Sequence, residues 1–128
     1  MRPPRAVVFD VGETLFSEER AWAAWAGWAR VLVCGDYLSP VEIPMLSAGG
    51  SRDAYLATLR RLEPLVDAAD HVVPGHGDVL EGARAAAILR EDADYLAKLP
   101  GADLPPARRS PAQRAIHEAN VKRVRSGS

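Results

Sequence analysis

Two short apolar runs, Val31-Leu32-Val33-Cys34 and His71-Val72-Val73, are rich in β-branched side chains and closed by Gly or Pro. They read as buried strands that deliver the following residues to a sheet edge. A third run, Ala6-Val7-Val8-Phe9 ending in Asp10, has the same form. Between the later two strands, Tyr55, Leu56, Leu59, Leu62, Leu65 and Val66 keep helical spacing behind Ser51, a candidate N-cap, with Asp53 in the first turn. The order strand, helix, strand permits parallel neighbours whose carboxyl ends share one edge.

The same patterning predicts three further helices. Residues 18–30 follow Ser17, with Glu18 and Glu19 favourably placed at the helix N-terminus, and Trp22, Trp25 and Trp28 recur every three residues on one face. That face reads as core packing, or as an exposed aromatic stripe if its usual neighbours are absent. Residues 80–98 put Ala85, Ile88, Leu89, Tyr95 and Leu96 on one side, continued by Leu99, and Arg84, Arg90, Glu91 and Asp94 on the other, with Pro100-Gly101 as the stop. Ala102 to Ala107 reads as a proline-rich connector crossing the surface. Ser110-Pro111-Ala112-Gln113 has the form of a capping box opening a helix over 110–124. The expected fold is therefore α/β, with Ala6 to Asp10, Val31 to Gly35 and His71 to Val73 in one small, mainly parallel sheet flanked by helices.

Composition narrows the functional classes. The 128 residues are 48% apolar and 26% charged, with a net charge of -1, which fits one globular unit without general attraction to nucleic acid or anionic membrane. Around the last helix, Arg108, Arg109, Arg114, Lys122, Arg123 and Arg125 face Glu118 alone, which reads as a solvated basic face; without interleaved aromatics it makes no stacking platform for RNA. The single cysteine, Cys34, has no internal disulfide partner, and without a secretory apolar stretch near the start the expected location is cytoplasmic. The apolar run from Ala21 to Ala29 is far below the roughly 20 residues that span a bilayer.

Candidate chemistry lies at the strand ends. Asp36 follows one strand, and His76, flanked by Gly75 and Gly77, follows another. A carboxylate and an imidazole at one edge can share a metal ion, and the glycines let backbone approach closely. The alternatives are a turn aspartate accepting backbone N–H bonds and an ordinary loop histidine. Asp10, also at a strand end, suits a nucleophile or a magnesium ligand, against the alternative of a turn or capping carboxylate.

Gly35-Asp36-Tyr37-Leu38-Ser39, Glu42-Ile43-Pro44, the Tyr55 to Leu62 helix and Pro74-Gly75-His76-Gly77 resemble the C-terminal half of a metallo-β-lactamase-fold hydrolase, and the likeness continues through Ile88 to Leu99 and Gln113, Ile116, His117, Glu118 and Asn120. The resemblance implies the rear half of an αββα fold over residues 31–124. It also implies that Asp36 bridges two metal ions and that His76 binds one of them. The ion is expected to be zinc, or else manganese or iron, activating water against a small-molecule ester, thioester or amide. The family's His-x-His-x-Asp-His cluster has no counterpart here, where the histidines are His71, His76 and His117. The expectation is a truncated homologue of weak or no activity alone, with His117 structural.

Residues 1–30 are similar instead to the strand, loop and helix that open haloacid-dehalogenase-like hydrolases. In Asp10-Val11-Gly12-Glu13-Thr14-Leu15, Asp10 matches the nucleophile and Thr14 the threonine, while Gly12 stands where phosphatases of that family carry an acid/base aspartate. This alternative implies magnesium and Asp10 catalysis. The chain thus reads as a mosaic of two hydrolase signatures within one unit, 1–128, ending in a frayed tail over 125–128. A third expectation is a non-catalytic scaffold fragment that self-associates through exposed apolar surface.

Overall fold

Val31, Leu32 and Val33 pair in parallel with Ala6, Val7 and Val8 on one side and with His71, Val72 and Val73 on the other. This ladder belongs to a computed structural model that describes residues 6–8 and 31–127. The strands are β1 (Ala6–Val8), β2 (Val31–Gly35), β3 (His71–Pro74) and β4 (Leu80–Glu81), and the helices are α1 (Arg52–Ala68), α2 (Gly82–Lys98) and α3 (Pro111–Arg125). The sheet runs in the order β1-β2-β3-β4, with β4 antiparallel to β3, so the α/β unit carries a small mixed sheet that is mainly parallel. The expected helix over 18–30, its tryptophans and Asp10 lie outside the described residues.

Strand β4 corrects one expectation. Leu80 and Glu81 do not open a helix; they pair with Val72 and His71, and α2 begins at Gly82. Leu80 is buried, and the Gly82 amide donates to the Asp70 carbonyl over 3.0 Å. Gly82 also lies so close to the Ala69 carbonyl that a Cβ there has no room. The chain is thereby stitched to the end of β3 before it can turn into the helix.

Alternation along β2 buries Leu32 and Cys34 and leaves the residues between them half-buried. Val72 of β3 extends that buried face, which meets Leu59, Leu62 and Val66 of α1 and Ala85, Ile88, Leu89, Tyr95 and Leu96 of α2 in one core. Each large side chain removed from water there contributes roughly 1.5–3 kcal/mol of transfer free energy before conformational costs. Burial also pushes the Cys34 thiol up to about 12, so it is an apolar filler and not a thiolate. Ser51 caps α1 as its position implies, its Oγ accepting the Ala54 amide over 3.1 Å. No helix among the described residues is long and apolar enough to cross a membrane.

Residues 36–50 form no regular element beyond turns, so their backbone polar groups need other partners. Helix α3 supplies them. Gln113 Oε1 accepts the Ile43 amide at 2.6 Å, Asn120 Oδ1 accepts the Leu46 amide at 2.9 Å, and Asn120 Nδ2 donates to the Pro44 carbonyl at 2.7 Å. Gln113 and Asn120, two turns apart, therefore share the face of α3 that meets the segment. The expected capping box is accordingly half formed: Ser110 Oγ accepts the Gln113 amide, while the Gln113 side chain is engaged at Ile43.

Two further expectations are corrected. Arg108 precedes α3 and is buried, so it is no part of the solvated basic face, on which Arg109, Arg114, Lys122 and Arg125 are exposed. The connector after α2 does not simply cross the surface, because Ala102 and Leu104 are inserted into the core.

Candidate metal-binding cleft at the strand ends

Parallel pairing places the carboxyl ends of β2 and β3 at the same edge, where open α/β sheets bind their ligands. Gly35 closes β2 with a φ of 56°, a left-handed turn suited to glycine. Its carbonyl accepts the Gly75 amide from the neighbouring strand end. A Cβ on Gly75 would stand 2.9 Å from that oxygen and 3.6 Å from Asp36 Oδ1, so only glycine lets the two loops approach this closely. Gly77, with φ 96°, lies against the Pro40 ring, where a Cβ would come within 2.7 Å of Cγ. The glycines on either side of His76 therefore fix its loop against both segments that follow β2.

The result is a shared site. Asp36 Oδ1 lies 3.8 Å from His76 Nε2, and Glu42 Oε1 lies 4.0 Å from His76 Nδ1. Neither separation is a hydrogen bond. With the imidazole 57% and the Asp36 side chain 83% exposed, these pairings supply little stability. The three side chains rim a cleft of about 390 Å³ whose walls include Tyr37, Tyr55, Met45 and Thr58. Tyr37 and Tyr55 pack with ring centroids 4.8 Å apart, tilted by 51°, and form its aromatic side.

The donor set fits a divalent ion only in part. Two ligands bonding one tetrahedral ion at about 2.1 Å stand roughly 3.4 Å apart, so the 3.8 Å between Asp36 and His76 needs only a small side-chain rotation. Glu42 faces the other ring nitrogen. Among the described residues no group of three or more His, Cys, Asp or Glu side chains is arranged to hold a metal. Asp36 and His76 would hold an ion with water completing its shell.

The loop bearing Glu42 is held from beneath. Ser39 Oγ donates to the His76 carbonyl at 3.0 Å and accepts the amides of Val41 and Glu42. Arg108 Nη1 donates to the carbonyls of Ser39 at 3.3 Å and Glu42 at 2.9 Å, while Nη2 donates to Glu91 at 2.7 Å. Asp92 Oδ1 lies 2.7 Å from Nη1, yet both N–H directions of that nitrogen serve the two carbonyls, so the contact is ionic and Oδ1 receives no directed hydrogen bond. Burial pushes Asp92 up to about 7 against the pull of Arg108. Burial also works against the charge on Arg108, but Asp92 and Glu91 more than restore it. The Tyr55 hydroxyl is likewise pushed up, by burial first and then by Asp92.

Of the residues singled out from the sequence, Asp36 and His76 are brought together, His71 stands exposed at the opposite end of β3, and Asp10 is outside the described residues. His117 is structural in its surroundings, its Nδ1 lying 2.8 Å from the Tyr95 hydroxyl. From the sequence, Glu42, Asp92 and Arg108 have no role at the cleft, and Arg108 falls on the solvated basic face instead. Asp92 carried a legible signal: it interrupts the apolar stripe of α2 between Ile88 and Tyr95, and a charge on a core-facing stripe requires a buried partner.

No protein-family model, no curated protein and no solved structure matches the chain.

Proposed function

We propose that residues 31–124 form a metallo-β-lactamase-like, hydrolase-derived unit that binds a divalent ion weakly through Asp36 and His76 and has little or no hydrolytic activity alone. The observation that carries this reading is the convergence of a carboxylate oxygen and an imidazole nitrogen, 3.8 Å apart, at the carboxyl ends of two adjacent parallel strands. A bound zinc or manganese ion would lower the pKa of its water towards neutrality and so supply hydroxide for attack on an ester, thioester or amide. The chain's own residues bind and orient. Asp36 and His76 present donors, Glu42 faces the Nδ1 side of the ring, and the Tyr37–Tyr55 pair offers an apolar wall to a small substrate.

Two protein ligands leave most of the coordination shell to water, and affinity should fall far below that of a structural zinc site. Calorimetry with zinc and manganese on the wild type and on His76→Ala tests the reading. Weak binding that disappears in the variant supports it, and equal binding by both proteins removes His76 from the site.

A further inference from the structure

We propose that Arg108 is a positioning residue for this cleft, transmitting the placement of helix α2 to the backbone of Glu42 and His76. Its role in locating these groups is independent of metal, and only its effect on ion affinity rests on the metal reading above.

Arg108 is 2% exposed, and its guanidinium is anchored on α2 by Glu91 and Asp92. From that fixed position it grips both ends of the turn from Ser39 to Glu42 through their carbonyls. Ser39, so held, passes the constraint onward through its Oγ to the His76 carbonyl. Five contacts thus connect the core helix to the backbones of Glu42 and His76, two of the three residues whose polar side chains rim the cleft. An arginine needed only to neutralise Asp92 has no reason to spend its Nη1 donors on this turn. A planar fork with several donors serves divided duty of this kind, and a lysine ammonium does not match its geometry. Groups that orient ligands in this way commonly alter metal affinity by about 10–100-fold when removed.

The test uses the full chain with three substitutions: Arg108→Lys, which keeps the charge but not the fork; Glu91→Ala, which frees Nη2 at a half-buried site; and Ser39→Ala, which cuts the link to His76. Imidazole ¹H–¹⁵N resonances are recorded without metal, and zinc affinity is then measured. Far-UV circular dichroism identifies which variants fold. The folded variants should move the His76 resonances while leaving those of His71, at the far end of β3, in place. Ser39→Ala and Arg108→Lys should weaken zinc binding about tenfold, and Glu91→Ala should weaken it less. Unchanged His76 resonances in folded Glu91→Ala and Ser39→Ala overturn the proposal, whether or not Arg108→Lys folds. A wild type that binds no zinc defeats the metal reading instead, while the resonance shifts still decide the role of Arg108.

Discussion

Gly75 donates its amide to the Gly35 carbonyl, and this bond between two strand ends sets the separation of Asp36 and His76. Because a Cβ on Gly75 would stand 2.9 Å from that oxygen, Gly75→Ala must push the two loops apart. Overpacking of this kind costs about 1–3 kcal/mol, and Gly75→Ala should lose that much stability in urea unfolding. It should also lose metal binding, although neither ligand has been changed.

Asp92 gives the stability a pH dependence whose sign follows from its burial. Its folded-state value is raised from 3.8 to about 7, so the folded protein holds the proton more tightly than the unfolded chain. The associated stability is fully present below about pH 4 and is lost as pH rises through about 7. Urea midpoints of the wild type, referred to Asp92→Asn to cancel the surface carboxylates, should fall between pH 5 and pH 8 by the equivalent of roughly 1–3 kcal/mol. A difference profile that is flat, or that rises with pH, contradicts the burial argument.

How much of this was legible in the sequence differs by element. Strands β2 and β3 and helix α1 followed from apolar spacing and a capping serine, because each is long enough to show its period. Strand β4 was not legible: two residues carry no period, and only pairing with β3 makes them a strand. Asp36 and His76 could be placed at one edge because each lies within two residues of the end of its strand. Glu42 could not, since the path of residues 36–50 is fixed by Arg108, Gln113 and Asn120, all more than 60 residues away in the chain. Nothing local distinguishes buried Arg108 from its exposed neighbour Arg109; the distinction lies in Asp92, across the core.

Asn120 tests whether side chains of α3 hold that segment. Fully buried, it bonds the Leu46 amide, the Pro44 carbonyl and the Tyr95 hydroxyl. Asn120→Ala strands the Leu46 amide and the Pro44 carbonyl without partners, while the Tyr95 hydroxyl keeps His117, and should cost about 2–3 kcal/mol. Hydrogen exchange at the Leu46 amide should quicken more than at amides of β2, which keep their ladder bonds. Equal protection of the Leu46 amide in variant and wild type would show that the segment holds its own path.

Catalysis should be minimal. A metal hydrolase gains its rate from an ion fixed in a closed shell with an activated water, and each missing ligand loosens both. Purified protein with added zinc or manganese should hydrolyse nitrophenyl esters, thioesters and β-lactams little faster than buffer with metal. Metal-stimulated turnover abolished by chelator and by Asp36→Asn would mean that further residues complete the site, with Glu42, which faces His76 Nδ1, and Asp10 the first to substitute.

The most direct test of the central claim is where a paramagnetic ion settles. In a manganese titration followed by ¹H–¹⁵N spectra, the account predicts that the amides of Asp36, Gly75, His76 and Gly77 broaden first. The same broadening should be absent in His76→Ala. Broadening that begins elsewhere, as along the His117 and Glu118 turn of α3, or that persists unchanged at the strand ends without His76, would contradict it.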